Sequence, residues 1–387
     1  LQMVKRKIAL LGATGSIGSS TLEVAIEQGI CISFASAHTD YRKLIAIAHK
    51  HNIPKLVLSG IDDPALLSSL RQDNPDLKIY AGEEELLNLL RNEDYDIALN
   101  AITGSAGLRS SFAIMERGKP LALANKESLV MAGHLLTKLV KDIPIIPVDS
   151  EHSAIFQAIG KHPTAEIKSL HITASGGAFR DLPLSEFPNI TPEQALTHPN
   201  WNMGAKVTLD SATMFNKALE VIEAHWLFGL PYSQLSAIIH PQSIIHSLVE
   251  FIDGSFLAQL STPDMKLPIL YALSYPERVA SSLVKTDLRT LSNLSFREIE
   301  PTRYPLFFLG LEVAKSGGLH PTVMNAAVEA ASALFLQGKI AYTDMMWVVY
   351  NALDTVPNIP HPDLNTIIGT NKEVYQRILH SKTPRFF

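Results

Sequence analysis

The sequence predicts an α/β protein that begins with a doubly wound parallel sheet and continues into an α+β domain and a helical C-terminal domain. From Lys7 to about residue 148, short apolar runs alternate with helical patterns, and this alternation is typical of a parallel sheet with crossover helices. Beyond Glu151 the apolar runs have hairpin-like spacings and are interrupted by Gly and Pro, which indicates an α+β arrangement. From Tyr304 onward long amphipathic patterns predominate, so the last part is predicted to be helical.

The predicted elements follow in chain order, within the two or three domains that 387 residues suggest at roughly 150 residues each. The first sheet is expected to contain strands at Lys7–Leu11, Ile30–Ala37, Lys55–Leu58, Lys78–Tyr80, Ile97–Ala101, Lys119–Ala124 and Ile143–Val148. Its helices are expected at Ser16–Gln28, Tyr41–His51, Pro64–Arg71 and Glu83–Asn92. Later strands are expected at Ser169–Thr173, Ala237–Ile239, Ser247–Phe251 and Ser255–Gln259, and later helices at Ala326–Leu336, Thr343–Asp354 and Asn371–Leu379. We therefore predict domains at 1–148, 149–274 and 302–387, with a linker at 275–301.

Composition excludes several classes of protein. The formal net charge is −5 and no long block of basic residues occurs, so nucleic acid is not an expected partner. Cys31 is the single cysteine, which excludes an internal disulfide and favours a reducing compartment, the cytoplasm. We find neither a signal-peptide pattern nor an apolar run of about 18 residues, so no membrane span is expected.

A glycine-rich turn, with Gly12, Gly15 and Gly18 three residues apart, follows the first predicted strand and opens the first helix. Glycines allow the backbone to approach a pyrophosphate closely, and the helix N-terminus supplies N–H donors. The spacing departs from the G-x-G-x-x-G pattern, and an ordinary glycine turn is the alternative interpretation. Together with the strand before it and the alternation after it, the turn predicts a Rossmann-like dinucleotide site.

The end of the second strand bears on which dinucleotide is bound. Asp40 could accept hydrogen bonds from the ribose hydroxyls of NAD. Arg42 and Lys43, close behind it, could bind the 2′-phosphate of NADP. The two basic residues favour NADP.

Asp149 and Glu151 directly follow the predicted strand Ile143–Val148. Side chains two residues apart on a strand point the same way, so we expect both carboxylates to converge on one hard cation. Ser150 should face elsewhere unless the strand has already ended. Two solvated loop carboxylates are the alternative. The edge of the sheet where cofactor and substrate should meet is also expected to carry Asn125, Lys126 and Glu127.

The polar segment Asp210–Glu220 is predicted to be a loop or N-cap that leads into a helix. Asn216 and Glu220 are four residues apart and share a helix face, with Lys217 at its margin. The hydroxyl of Ser211, an amide and an ammonium near a helix start suit a phosphate, and Glu220 could be a third metal ligand. A solvated Lys–Glu pair is the alternative.

Two further segments have the composition of ligand-binding loops. Ser175 opens a Ser-Gly-Gly turn that could bind an anion through its backbone, although such turns are common. Residues 198–204 begin with His198, contain Trp201 and end at Gly204, which is the composition of a lid over a polar ligand.

Two groups of residues that resemble ligands are predicted to belong to the core instead. His240 and His246 stand in an otherwise apolar stretch, and Met345, Met346 and Trp347 form a run of large apolar side chains. In such surroundings a histidine or methionine is more often a packed core residue than a ligand.

Seven motifs, in order, resemble those of the 1-deoxy-D-xylulose 5-phosphate reductoisomerase family. They are GATGSIG, ALANKESLV, PVDSEHSAIFQ, TASGGAF, HPNWNMG, VTLDSATMFNKALEVIEAHWLF and HPQSIIHS. The resemblance runs from about Lys7 to Asp264 and extends more loosely to the C-terminus. The resemblance implies an NADPH- and divalent-metal-dependent (Mg, Mn or Co) rearrangement and reduction of 1-deoxy-D-xylulose 5-phosphate. The implied product is 2-C-methyl-D-erythritol 4-phosphate, made early in non-mevalonate isoprenoid synthesis, and the implied assembly is a homodimer.

The resemblance also implies roles for individual residues. The implied metal ligands are Asp149, Glu151 and Glu220, which with Lys126 form the implied catalytic set; Lys126 and Glu151 are the candidate proton carriers. The implied substrate contacts are Lys126, Ser150, Glu151, Ser175, His198, Trp201, Ser211, Asn216, Lys217 and Glu220, with 198–204 as a flap. The implied cofactor contacts are Thr14, Gly15, Ser16, Ile17, Asn125, Glu127 and Gly204, and at the 2′-phosphate His38, Thr39 and Asp40.

The chain departs from the family where the 2′-phosphate is expected. His38, Thr39 and Asp40 stand where the family usually has a glycine, a variable residue and an asparagine. Asp40 would repel the 2′-phosphate unless Arg42 or Lys43 compensates.

Two other functions remain as alternatives: a non-catalytic dinucleotide-binding redox sensor, and a Rossmann dehydrogenase of another small substrate. A phosphorylating semialdehyde dehydrogenase needs a catalytic thiolate, and Cys31 lies in the second predicted strand, away from any expected substrate site. Three convergent carboxylates argue against the redox sensor, and metal-dependent turnover would exclude it.

Overall fold

A computed structural model of the chain describes residues 6–140, 144–201, 203–291 and 293–381. Asn202 of the predicted lid, Ile143 of a predicted strand and residues 382–387 of the predicted helical domain lie outside these ranges. The described chain forms two compact units. The first contains the residues up to Asn125 together with Lys138–Ser153 and Asp264–Lys285, and the second contains Lys126–Thr137, Ala154–Pro263 and the residues from Thr286 onward.

The strands and helices confirm the predicted fold class, and most predicted ends lie within a few residues of the observed ones. The strands are β1 (Lys7–Leu11), β2 (Cys31–Ala37), β3 (Lys55–Leu58), β4 (Lys78–Ala81), β5 (Ile97–Asn100), β6 (Leu121–Leu123), β7 (Ile145–Pro147), β8 (Ile167–Ala174), β9 (Leu235–Ile239), β10 (Ile245–Phe251) and β11 (Phe256–Leu260). The helices are α1 (Ser16–Gln28), α2 (Tyr41–His51), α3 (Pro64–Asp73), α4 (Glu83–Asn92), α5 (Leu108–Glu116), α6 (Glu127–Leu136), α7 (Ser150–Ile159), α8 (Pro192–Ala195), α9 (Ala205–Ala212), α10 (Phe215–Phe228), α11 (Lys266–Ser274), α12 (Pro305–Ser316), α13 (His320–Leu336), α14 (Met345–Thr355) and α15 (Leu364–Leu379).

The first unit is built on a seven-stranded sheet in the order β4-β3-β2-β1-β5-β6-β7. All neighbouring strands are parallel. The chain order reverses between β1 and β5, so the loops that follow these two strands lie side by side at the carboxyl edge of the sheet. This is the switch point at which doubly wound sheets bind ligands.

The second unit is built on a four-stranded mixed sheet in the order β11-β10-β8-β9, in which only β8 and β9 run parallel. Helix α10 packs on this sheet through Val221 and Ala224, which share an apolar cluster with Leu170 and Val249. Because α10 carries part of the predicted chemistry, the sheet fixes the position of those side chains.

Helix α13 begins six residues earlier than the predicted helix at Ala326, and it is buried on nearly every side. Thr322 and Asn325 are buried polar residues in its first turns, so hydrophobic periodicity there does not mark the true start. The prediction that Met345 lies in the core is confirmed, whereas Trp347 is 42% exposed and its assignment to the core is wrong. Helix α14 faces solvent on that side, so a large apolar side chain alone did not indicate burial.

The predicted division into 1–148, 149–274, 275–301 and 302–387 remains a prediction. The compact units are discontinuous in sequence, and compactness alone does not show where an independently folding domain begins. No helix among the described residues is both long and apolar enough to cross a membrane.

Candidate active site

The glycine-rich turn lies where β1 ends, and close backbone contacts require glycine at two of its positions, Gly12 and Gly18. Gly12 has φ +77°, and a Cβ on it would lie 2.6 Å from the carbonyl oxygen of Ala101, just after β5. A Cβ on Gly18 would lie 2.5 Å from the carbonyl of Ala13. Helix α1 starts after Gly15 without a side-chain cap, so the N–H groups of its first turn can donate to a bound anion.

Asn125 shapes the neighbouring loop of the first unit. Its side-chain Nδ2 donates hydrogen bonds of 2.7 Å to the carbonyl oxygens of both Ile102 and Gly104, after β5. A Cβ on Gly107 would collide with the Asn125 side chain. The predicted cofactor residue Asn125 therefore holds the loop on the β5 side of the switch point.

His38, Thr39 and Asp40 are exposed at the end of β2. Asp40 precedes α2, and its Oδ1 accepts a hydrogen bond from the backbone N–H of Lys43 at 3.1 Å. Lys43 Nζ in turn donates to the carbonyl oxygen of Thr14, in the glycine-rich turn, at 2.7 Å. The carboxylate that could have marked an NAD enzyme is therefore engaged as a helix cap.

The expectation that Asp149 and Glu151 lie on a strand end is wrong, but their carboxylates do converge, with an oxygen of one within 4.8 Å of an oxygen of the other. Strand β7 already ends at Pro147, and α7 begins at Ser150. Asp149 accepts the N–H of Glu151 at 3.3 Å, and the Ser150 hydroxyl donates to Glu151 Oε2. Both carboxylates therefore lie at the start of a helix, where the positive end of the helix dipole stabilises negative charge.

Glu220 is the centre of a buried polar cluster in the second unit. Lys126 Nζ donates to Glu220 Oε1 at 3.2 Å and to Asn216 Oδ1 at 3.0 Å. Lys217 Nζ lies 2.5 Å from Glu220 Oε2, with both side chains at most 5% exposed. The predicted sharing of one face by Asn216 and Glu220 is confirmed by their side-chain hydrogen bond, and the alternative of a solvated Lys–Glu pair is wrong.

Asp210 and Ser211 were predicted to lie in a loop or N-cap, but they lie in the last turn of α9. The break before α10 falls at Met214, which has φ +58°. The sequence pattern did not reveal this break because methionine rarely adopts a left-handed conformation. Ser211 remains close to the Ser-Gly-Gly turn, since a Cβ on Gly177 would lie 2.4 Å from the Ser211 carbonyl oxygen.

Sequence reasoning missed a second buried cluster, which surrounds the ammonium group of Lys206. Lys206 Nζ lies 2.8 Å from Asp210 Oδ2 and 3.3 Å from Glu127 Oε1. Burial raises the pKa of Asp210, and burial with the nearby Glu127 and Asp210 charges raises the pKa of Glu329 to about 7. The spacing of Lys206 and Asp210, four residues apart, was the only sequence signal for this cluster.

Ser175 and His198 meet in the second unit, as expected for two groups that bind one ligand. His198 Nδ1 accepts the backbone N–H groups of Asn200 and Trp201 at 3.1 and 2.9 Å. The hydrogen of a neutral ring is then on Nε2, which lies 3.0 Å from Ser175 Oγ. Ser175 Oγ also accepts the N–H of Gly177 at 3.1 Å, so the Ser175 hydroxyl hydrogen can be donated to a third partner.

The predicted lid is attached to the loop that precedes β10. Asn200 Nδ2 donates to Ser243 Oγ at 2.7 Å, and the Trp201 ring contacts the His246 ring edge-on, with centroids 6.0 Å apart. His246 is buried, as predicted, and so is His240. His240 Nε2 accepts two backbone N–H groups and Nδ1 bonds a backbone carbonyl, which confirms a satisfied core histidine.

A doubly wound parallel sheet with a glycine turn at its switch point defines a dinucleotide-binding fold. The second unit adds buried ammonium, carboxylate and hydroxyl groups of the kind that bind anions and transfer protons. A fold and side-chain groups of this kind are typical of dinucleotide-dependent oxidoreductases.

Family models identify the chain more closely. The model of 1-deoxy-D-xylulose 5-phosphate reductoisomerase matches residues 8–133, and models of C-terminal domains of the same enzyme match residues 145–228 and 260–377. The chain belongs to the 1-deoxy-D-xylulose 5-phosphate reductoisomerase family. A relative of that name from Listeria monocytogenes serotype 4b (strain F2365) is 44% identical over 376 residues, which cover 95% of this chain and 97% of the relative.

Solved structures agree with this assignment. A DOX-P reductoisomerase in complex with NADPH, fosmidomycin and magnesium superposes with a TM-score of 0.90 at 38% identity, covering 96% of this chain and 97% of that one. The enzyme from Zymomonas mobilis in complex with NADPH superposes with a TM-score of 0.88 at 37% identity, covering 97% and 98%. The predictions of the family and of an NADPH-dependent oxidoreductase are therefore confirmed, and the redox sensor and the other dehydrogenase are not supported.

Proposed function

We propose that this chain converts 1-deoxy-D-xylulose 5-phosphate to 2-C-methyl-D-erythritol 4-phosphate with NADPH and a divalent cation. The observation that carries the proposal is the buried Glu220 carboxylate with Lys126, Asn216 and Lys217 around it. A surface helix has no structural need for such a cluster, whereas a reaction on a phosphorylated ketose needs both a metal ligand and cationic groups.

We propose Asp149, Glu151 and Glu220 as the ligands of the cation. Each offers a carboxylate oxygen, and an all-oxygen set suits a hard cation such as Mg or Mn, or else Co. Glu220 Oε1 accepts hydrogen bonds from Lys126 and Asn216, and Oε2 accepts one from Lys217. A carboxylate that now binds ammonium groups can bind a divalent cation through the same oxygens. The donor set therefore fits the ion.

The substrate phosphate would be bound by the hydroxyl, amide and cationic groups of the second unit. The Ser175 hydroxyl retains a hydrogen to donate because His198 and Gly177 both donate to its oxygen. Lys217 supplies charge and Trp201 would cover the bound substrate. The proposed substrate contacts are Lys126, Ser150, Glu151, Ser175, His198, Trp201, Ser211, Asn216, Lys217 and Glu220.

The dinucleotide would lie on the glycine-rich turn, with its pyrophosphate at the start of α1. The proposed contacts are Thr14, Gly15, Ser16, Ile17, His38, Thr39, Asp40, Asn125, Glu127 and Gly204. Of these, Glu127 bonds Lys206, which is two residues beyond Gly204. That ion pair would hold the end of the lid near the start of α6.

In the reaction, this chain's residues would orient the substrate and move protons. The bound cation would polarise the ketone and lower the pKa of a neighbouring hydroxyl, and NADPH would supply the hydride. Lys126 Nζ donates hydrogen bonds to Glu220 Oε1 and Asn216 Oδ1, and these two acceptors fix the directions of its N–H groups. We propose Lys126 and Glu151 as the groups that give and accept protons, while phosphate contacts away from the reacting carbons fix the orientation.

The test is NADPH oxidation with 1-deoxy-D-xylulose 5-phosphate, measured with Mg or Mn and with EDTA. We expect metal-dependent turnover, and the isosteric Glu220→Gln should lower kcat by roughly a hundredfold or more, because metal contributions are worth several kcal/mol. Glu312→Gln, a change at an exposed residue of α12, is the matched control and should leave kcat unchanged. Turnover that is unaffected by EDTA and by Glu220→Gln would contradict the proposal.

We further propose that the protein is a homodimer and that it works in the cytoplasm. Support for the dimer comes from the exposed apolar side chains of the edge strand β11, Phe256, Leu257 and Leu260. Support for the compartment comes from Cys31, a free and exposed thiol that a reducing environment preserves.

A further inference from the structure

The first turn of α2 contains a cation that the reaction does not use. Lys43 Nζ donates to the neutral carbonyl oxygen of Thr14 at 2.7 Å. Across residues 6–140, 144–201, 203–291 and 293–381 this ammonium group has no carboxylate partner. Its charge therefore remains available at the turn that would hold the dinucleotide.

The neighbouring acid has a different task. Asp40 Oδ1 accepts the backbone N–H of Lys43 at 3.1 Å and so caps α2. An acid at the end of the second strand of this fold usually accepts the hydroxyls of the adenosine ribose, whereas a cation there accommodates a 2′-phosphate. The cap occupies Oδ1 only, and the negative charge of Asp40 opposes a phosphate nearby.

Two cations could offset that charge, and the structure distinguishes them. The guanidinium of Arg42 lies over the ring of its neighbour Tyr41, 5.8 Å from the centroid. Lys43 instead reaches from the end of β2 to the glycine-rich turn. Only the Lys43 ammonium thus connects the two backbone segments that border the adenosine ribose in this fold.

We propose that Lys43 binds the 2′-phosphate of NADPH and sets the preference for NADPH over NADH, an inference that rests on the proposed use of NADPH. On binding, the ammonium exchanges a neutral carbonyl for a doubly charged phosphate, and such charge-assisted hydrogen bonds are the stronger kind. Lys43 is a cofactor-specificity residue and takes no part in the chemical step.

The test measures binding and needs no turnover. Wild-type protein and Lys43→Gln are titrated calorimetrically with NADPH, NADH, adenosine 2′,5′-bisphosphate and adenosine 5′-phosphate. We expect Lys43→Gln to lower the affinity for NADPH and for the bisphosphate by roughly tenfold to a hundredfold, the range for a hydrogen bond between charged groups. NADH and adenosine 5′-phosphate should change by less than about threefold, since they lack the group that Lys43 binds.

Three variants complete the design. Arg42→Gln is the matched control and should leave all four affinities unchanged, while Lys43→Arg should restore most of the preference because it restores the charge. Asp40→Asn keeps a good helix cap but removes the negative charge, so it should raise the ratio of NADPH affinity to NADH affinity a fewfold. Melting temperatures of all variants verify that each is folded.

The inference is overturned if Lys43→Gln lowers the affinities for NADPH and NADH equally, since Lys43 would then act only by holding the turn at Thr14. It is also overturned if Arg42→Gln, and not Lys43→Gln, causes the selective loss. Wild-type protein that binds NADPH selectively but turns over no phosphosugar would refute the proposed function and leave this inference intact. Wild-type protein without any preference for NADPH would refute the inference alone.

Discussion

At the scale of single residues, His198 shows how backbone groups fix the tautomer of a side chain. Its Nδ1 accepts two N–H groups from the segment that follows it, and its Nε2 faces Ser175. The ring therefore connects the lid to the Ser-Gly-Gly turn. The sequence indicated that both residues bind a ligand, but it could not show that each orients the other, because they are 23 positions apart.

Two substitutions at His198 separate its two functions. Asparagine places an acceptor near the position of Nδ1, whereas glutamine places a donor near the position of Nε2. We expect His198→Gln to loosen the lid and increase acrylamide quenching of Trp201, and His198→Asn to leave quenching near wild type. Both should raise KM for the phosphosugar, by roughly tenfold for one lost hydrogen bond to a charged group.

The quenching measurement is made in a Trp347→Phe background, since Trp347 is itself exposed. Equal quenching in the asparagine and glutamine variants would show that the backbone bonds to Nδ1 do not hold the lid.

At the scale of elements, helix α9 is linked to α6 and α13 by electrostatic interactions of the Lys206 ammonium group. Lys206 on α9 has two carboxylates within 3.3 Å, and Glu329 on α13 adds a third charge that interacts with Lys206. Burial, and then the nearby charges of Glu127 and Asp210, raise the pKa of Glu329 to about 7, although the Lys206 ammonium opposes the shift. The folded protein therefore keeps Glu329 protonated up to about pH 7, well above the pH at which an exposed glutamate ionises.

This cluster predicts a pH-dependent stability. The pKa of Glu329 rises from 4.5 to about 7 on folding, so its stabilising contribution is complete below pH 4.5 and is lost as the pH rises through 7. The unfolding free energy of the wild-type protein should fall by at most about 3 kcal/mol between pH 5 and pH 8, and the melting temperature should fall with it. The melting temperature of Glu329→Gln should fall less over the same pH range.

Glu312→Gln on α12 is the control for this prediction and should follow the wild-type pH profile, because Glu312 is exposed. Identical slopes for wild type and Glu329→Gln would mean that Glu329 titrates normally.

At the scale of the whole molecule, the exposed edge of the four-stranded sheet is the basis for the proposed homodimer. Within the part of the chain that the structure describes, strand β11 has a neighbour on one side only. Phe256 and Leu257, which face opposite sides of the sheet, are both about half exposed. An apolar edge strand pairs readily with another strand unless something covers it. A second copy of the chain would cover it.

Sedimentation or light scattering of the purified protein tests this assembly. We expect wild-type protein to have the mass of a dimer and Leu257→Glu to have the mass of a monomer at micromolar concentration, because a buried unpaired charge opposes pairing. Trp347→Glu, at an exposed aromatic of α14, is the control and should stay dimeric. A monomeric wild-type protein would refute the proposed dimer.

The sequence by itself determined the fold class, the glycine-rich turn and the residue types of the site. Those features depend on short-range rules: strand and helix periodicity, the freedom of glycine, and side chains four residues apart on a helix such as Asn216 and Glu220. Only the tertiary structure decided that β7 ends before Asp149, that Lys43 reaches the carbonyl oxygen of Thr14, and that Lys206 meets Glu127. These outcomes depend on which backbone groups lack partners and on contacts between distant segments, and neither is encoded in local periodicity.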